Sequence, residues 1–297
     1  MTAENAEQVG QFERWVRAGA SVVAPATAVS AVLFYFGYVS ARAQYEYFGI
    51  DVDTVGLGTQ DYVMRSPQPL LAPLLVLTML GIGVPALLSA TRTRVAGNPR
   101  RARRLARACS AAGTVLACAG ALLLLTYVQW QGWKLYALVT PLLTGVGAGV
   151  VAYARRVRAL VRTRTPKERR PLLSGHSSDV LVVVVMAISV FWTTATVAQW
   201  SGRGLAMRQA RELDRLPSVI LDTRERLFLR SPGIDERVLE ESPGQTFRYR
   251  YRNLRLLIHG NNRMFLVPYR WSASDSTLVV ELDGSVRVQF QFQNQRP

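Results

Sequence analysis

Five stretches of 20 to 23 residues carry no Asp, Glu, Lys, Arg or His: Ala18–Ser40, Leu70–Ala90, Ala108–Val128, Leu135–Ala154 and Val180–Trp200. The hydrocarbon core of a bilayer asks for about 20 such residues. Buried helices of soluble proteins seldom run so long and so uniformly apolar. Lipid offers no partner to backbone polar groups, so each stretch must satisfy its own as a helix. The expected fold is an α-helical transmembrane bundle of about five spans within residues 1–200. A helical connector follows over 201–217, then a small antiparallel β-rich extracytoplasmic domain over 218–297.

Orientation follows from the basic residues between the spans. The second connection holds Arg92, Arg94, Arg100, Arg101, Arg103, Arg104 and Arg107, and the fourth holds Arg155, Arg156, Arg158, Arg162, Arg164, Lys167, Arg169 and Arg170. The first has only Arg42 and Arg65, and the third only Lys134. Two loops with 15 basic residues against two with three place the N-terminus in the cytoplasm and the C-terminus outside a plasma membrane. A net charge of +16 invites a nucleic-acid reading. Neither basic loop interleaves aromatics with its arginines as a single-strand binder would, so the expected partners there are anionic lipid headgroups, not nucleic acid.

Ala41-Arg42-Ala43 resembles a signal cleavage site, but the apolar run before it is longer than a signal core. A retained first span is expected. Cys109 and Cys118 are nine residues apart, about 13 Å along a helix axis, too far to pair. They are expected to be buried small apolar residues. In the first connection, Thr59 is expected to cap a short helix, Ser66-Pro67 to open the second span, and Asp51 and Asp53 to serve turns and caps, not a metal. Trp130, Trp133 and Trp200 suit an interfacial belt.

Ionisable groups mark proton relays and many ion pathways in membranes, and none lies in the five stretches. What remains is small or mildly polar. Gly145 and Gly149 form a Gly-x-x-x-Gly with Pro141 on the same face. Gly113, Ala117 and Ala121 repeat the spacing in the third span. Such positions let helices approach closely, within one chain or across a homo-oligomer seam. Ser189, Thr193 and Thr196 share a face of the fifth span and either line a polar path or bond to backbone. Prolines at 25, 73, 85 and 141 imply kinks.

After Trp200 comes a polar segment of good helix formers ended by Pro217. Strands are expected at Ser218–Asp222, Arg226–Leu229, Phe247 to Ile258, Met264–Pro268, Thr277–Leu282 and Ser285–Phe292. Gly260-Asn261-Asn262 is a turn, and Asp283-Gly284 a hairpin. Phe247, Tyr249 and Tyr251 alternate with Arg248, Arg250 and Arg252, which puts aromatics inward and a candidate binding surface of three arginines outward. The domain is small enough to lean on the membrane helices, on the first connection or on copies of itself. His176 and His259 fall on opposite sides of the membrane, so they join no catalytic triad or zinc site, and no cofactor is expected.

Tyr47-Phe48-Gly49-Ile50-Asp51, then Thr59-Gln60-Asp61-Tyr62 with Arg65-Ser66, then a fifth span leading into an Arg/Tyr strand, resemble a group of uncharacterised multi-pass membrane proteins from actinobacteria. The resemblance implies no activity and no site residues. Two functions are open. One is a non-enzymatic membrane protein whose outward domain serves binding, sensing or assembly, with an envelope polymer or a protein as partner. The alternative is a homo-oligomeric channel or small-solute permease subunit.

Overall fold

A computed structural model describes residues 3–95, 99–130, 132–162, 175–272 and 274–291. Its helices are α1 (Ala3–Glu46), α2 (Val52–Val55), α3 (Thr59–Arg65), α4 (Pro67–Val95), α5 (Pro99–Leu125), α6 (Tyr127–Trp130), α7 (Tyr136–Arg162) and α8 (Gly175–Arg211). Its strands are β1 (Ser218–Thr223), β2 (Asp235–Val238), β3 (Tyr249–Gly260), β4 (Arg263–Pro268), β5 (Leu278–Glu281) and β6 (Val286–Gln291). Five helices, α1, α4, α5, α7 and α8, are long and apolar enough to cross a membrane, and an antiparallel sheet follows them. Arg164, Lys167, Arg169, Arg170 and Phe292 lie outside the described residues. The chain divides into two compact units, residues 69–198, and residues 1–68 with 199–297.

In the first of these units α7 is the hub. It runs antiparallel to α5, with a seam of residues small enough for backbone contact. A Cβ on Gly147 would lie 2.6 Å from the Ala117 nitrogen and 2.8 Å from the Gly113 oxygen. Thr144 fits against Gly120 in the same way, and the Tyr136 hydroxyl donates to the Leu123 carbonyl at 2.9 Å. The seam on α5 thus uses Gly113, Ala117 and Gly120, not Ala121, and on α7 it uses Gly147. Gly145 instead faces α8, where a Cβ would meet that of Ser189 at 2.8 Å, and Gly149 has only the Met186 methyl nearby, 3.8 Å away. Cys118, one residue past Ala117, is turned about 100° off the seam and is exposed, unlike the buried residue expected; Cys109 is half-buried.

In the other unit α1 and α8 run side by side in the same direction. Gly202 sits against the Ser40 backbone so closely that a side chain there would overlap it. Further along, Gln44 Nε2 donates to Gln209 Oε1 at 2.6 Å. Two parallel membrane helices require an odd number of spans between them, and α4, α5 and α7 are three helices long and apolar enough for that. The connector after the fifth apolar stretch is α8 itself, continuing to Arg211, followed by a 3-10 turn at Leu213–Arg215.

The first connection is compact. Asp51 caps α2, accepting from the Asp53 N–H at 3.2 Å, and Tyr38 donates to Asp53 at 3.3 Å. The cap of α3 is Gly58, not Thr59: Asp61 reaches back to accept from the Gly58 N–H at 2.8 Å. Pro67 opens α4, where a missing N–H costs nothing. Val52 and Val55, fully buried, join Ala41, Tyr45, Phe48, Ile50 and Tyr62 in a core shared with Ala206, Leu213, Phe265 and Val267. Of the three supports open to the sheet, two are observed, the first connection and the ends of the apolar helices α1 and α8.

The sheet runs β5-β4-β3-β1-β6, with β2 beside the start of β3. Asn261 and Asn262, at φ 48° and 58°, make the tight β3–β4 turn. Asn253, at φ 64°, interrupts the alternation of β3 near a register shift in its pairing with β1. Inward residues are therefore Tyr251 before it and Leu254 after it. β4 is buried on both faces: Met264 and Leu266 enter the sheet's own core with Val219, Leu221 and Val280, while Phe265 and Val267 enter the shared core. Residues 226–229 form no strand; β2 lies further on, at Asp235–Val238. The Asp283-Gly284 hairpin is also not formed, because β5 and β6 occupy opposite edges. Five Cα steps separate Glu281 from Val286, about 17–18 Å at full stretch, and a flat five-stranded sheet is about 19 Å wide. The turn at 283–285 shortens that reach, so the sheet curls and brings its edges toward each other.

The shared core predicts coupled stability. Phe265→Ala in β4 should cost about 3–5 kcal/mol. Hydrogen exchange of the detergent-solubilised chain should then rise about a hundredfold or more in both β4 and α2. Unchanged protection of α2 would show that the first connection folds without the sheet.

Candidate binding surfaces

The arginine strand is the first candidate. Arg250 does not present its guanidinium freely. It donates from Nε to Asp222 Oδ1 at 2.8 Å and from Nη2 to Oδ2 at 3.0 Å. Arg287 of β6 donates to the same carboxylate from Nε and Nη2, at 3.0 and 2.6 Å. Asp222 is directly opposite both residues in the strand register, and its side chain is 0% exposed. Burial pushes its carboxyl pKa up, but the hydrogen bonds and charges of Arg250 and Arg287 outweigh that and hold it below the usual carboxylate range. The arrangement is a three-strand clamp, charge-assisted on both sides.

Phe247 departs from the expected inward row. Its ring lies beneath the Arg287 guanidinium, 5.1 Å from centroid to Cζ. Tyr251 is fully buried and its hydroxyl accepts from the Leu227 N–H at 2.7 Å. Arg248 approaches Glu241 only loosely, at 3.9 Å, with both side chains exposed. Arg252 buries its Nε without a hydrogen-bond partner among the described residues. Of the three arginines, Arg250 is a structural partner, Arg248 is exposed and Arg252 is half-buried. A recess of about 480 Å³ opens over the clamp instead, lined by Glu240, Gln245, Phe247, Arg250 and Arg287 and by neither Arg248 nor Arg252.

The hydroxyl stripe of α8 is the second candidate. Ser189 packs on Gly145, and Thr196 donates to the Ala137 carbonyl of α7 at 3.0 Å. Thr194, not singled out by the helical spacing, is also buried and donates to Val190 at 2.8 Å. Thr193 is half-buried. Ser189, Thr194 and Thr196 thus serve helix contact or their own backbone.

A third surface is invisible in the sequence because its parts are far apart. The first connection, the end of α8, Trp271, Ser272 and residues 275–279 enclose an open cleft of about 1160 Å³. Its wall is aromatic, with the Phe48 and Trp271 rings 5.3 Å apart and Tyr47 beside them. Thr277 ties the two segments by donating to the Phe48 carbonyl at 2.6 Å. No group of three or more metal-ligating side chains occurs among the described residues.

The clamp makes the sheet's stability depend on acid. A carboxyl whose folded pKa is depressed contributes stability above its ordinary value of 3.8 and loses it as the pH falls toward the folded value. Asp222→Asn should destabilise the sheet by about 2–4 kcal/mol, less than a fully buried pair because both guanidiniums reach water. Exchange of β1, β3 and β6 amides should rise about 30-fold to several hundredfold. The variant should also lose much of the wild type's weakening below about pH 4. A variant as stable as the wild type would show that the clamp contributes nothing.

No family model, curated protein or solved structure matches this chain.

Proposed function

We propose that the chain is a non-enzymatic binding, sensing or assembly protein of the plasma membrane, with its N-terminus in the cytoplasm and its C-terminal body outside. The observation that carries this reading is the core shared by the first connection, the ends of α1 and α8, and β4. It builds one body on two parallel helices, a form suited to holding a recognition surface at a fixed height over a membrane. The basic ends of α5 and α7 support the orientation, since Arg103, Arg104, Arg107, Arg156 and Arg158 are exposed there. Each such residue near an anionic leaflet gains about 1 kcal/mol. The partner outside is an envelope polymer or a protein, with Arg248 and Arg252 as contacts for anionic groups. The grouping with multi-pass proteins of actinobacteria belongs to the same proposal. A channel or permease role is less well supported, because Ser189 and Thr196 are engaged in packing between α7 and α8.

Reporter fusions at residue 165 should be active in the cytoplasm, and fusions at residue 297 outside; an internal C-terminus would overturn the orientation. The chain in neutral nanodiscs should associate with anionic cell-wall fragments at low salt and release them as the Debye length shortens toward roughly 3 Å near 1 M salt. Arg248→Gln with Arg252→Gln should weaken that association and leave hydrogen exchange unchanged. Association that ignores salt and both substitutions would remove the arginines from the account.

A further inference from the structure

The large cleft has a chemistry opposite to that of the protein around it. Residues 201–297 carry 16 Arg against 11 Asp and Glu. The cleft is lined by three carboxylates, Glu46, Asp51 and Asp275, against the single basic residue Arg211. Even counting Arg42, which pairs with Glu46 at 2.6 Å, the balance stays negative. Each carboxylate is held by one oxygen. Asp51 Oδ1 accepts from the Asp53 N–H at 3.2 Å, and Asp275 Oδ2 accepts from the N–H and the hydroxyl of Ser272, both at 2.7 Å. Arg42 holds Glu46 through Oε1. The second oxygen of each accepts no hydrogen bond from the described residues, so three oriented acceptors border an aromatic wall.

We infer that this cleft binds an extended basic peptide segment of a partner protein, its Lys or Arg side chains meeting the carboxylates and the aromatic faces. Ammonium and guanidinium groups are attracted both to π-faces and to fixed carboxylates. Neutral saccharides could stack on Tyr47 and Trp271 but gain nothing from the inverted charge, and anionic polymers would be repelled. The volume, about 1160 Å³, exceeds the roughly 300–1,000 Å³ of small-molecule pockets and suits a stretch of polymer. The inference rests on the reading of this body as a binding module, but it uses a surface apart from Arg248 and Arg252.

The test uses the full chain in phosphatidylcholine nanodiscs and a fluorescent six-residue peptide alternating lysine and alanine, followed by anisotropy. Binding should saturate, and weaken about tenfold or more when the lysines are acetylated. Asp51→Asn with Asp275→Asn should weaken it similarly, because Asn keeps the acceptor for the local N–H and removes the charge. Unchanged hydrogen exchange in α2 and β5 shows that the double variant is folded; if it is not, the acetylated peptide alone decides. Arg248→Gln with Arg252→Gln should leave peptide binding unchanged, which separates this site from the anionic one. Absence of saturable binding, equal binding of the acetylated peptide, or a folded double variant that binds normally would overturn the proposal. So would binding of a neutral N-acetylglucosamine hexamer in place of the peptide.

Discussion

Phe265 and Val267 on β4 pack against Phe48, Val52 and Val55 of the first connection, and much of the architecture depends on that contact. A sheet domain of this size has a marginal interior. Burying both faces of β4 enlarges it, because one strand contributes to two cores. The close approaches agree with this. Gly260, at the end of β3, lies against the Val55 carbonyl, and Gly56 lies against the Asn261 side chain. A side chain at either glycine would hold the two segments apart.

The same contact constrains topology. The connection after α1 and the segment after α8 belong to one body, and a membrane crossed by both helices would have to leave both on one side. Parallel α1 and α8 with three candidate spans between them are compatible with that condition. In the other unit, close packing at Gly113, Gly147 and Gly145 takes the place of the hydrophobic effect, which gives little drive for association in lipid. Hydroxyls such as those of Thr196 and Tyr136 add helix-to-helix hydrogen bonds, and the α8 stripe therefore reads as part of the scaffold.

The helices are legible in the sequence because an uncharged run of that length has one physical solution in lipid. The longer strands are legible from their period of two. Partners across strands are not. Alternation places Arg250 on the face opposite Tyr251, but it does not reveal that Asp222 and Arg287 stand beside it. A lone carboxylate in the apolar run Val219-Ile220-Leu221-Asp222 is the signal that could have found the clamp, since a buried charge needs a partner. Asp283-Gly284 misleads because its turn joins two edges of a curled sheet instead of two paired strands. The cleft has no local signature, being assembled from segments more than 50 residues apart.

The central claim is that the first connection and the C-terminal sheet are one body on one side of the membrane. Cysteines placed at Thr54 and Asn261, in a chain with Cys109 and Cys118 changed to Ser, test it most directly. Gly56, two residues from Thr54, touches Asn261, so a thiol-bridging reagent of about 10 Å reach should span the pair. The account predicts efficient cross-linking within a single chain in intact membranes, with both cysteines blocked by the same impermeant thiol reagent. Protection of one cysteine while the other reacts, or no cross-link when both react, would contradict it.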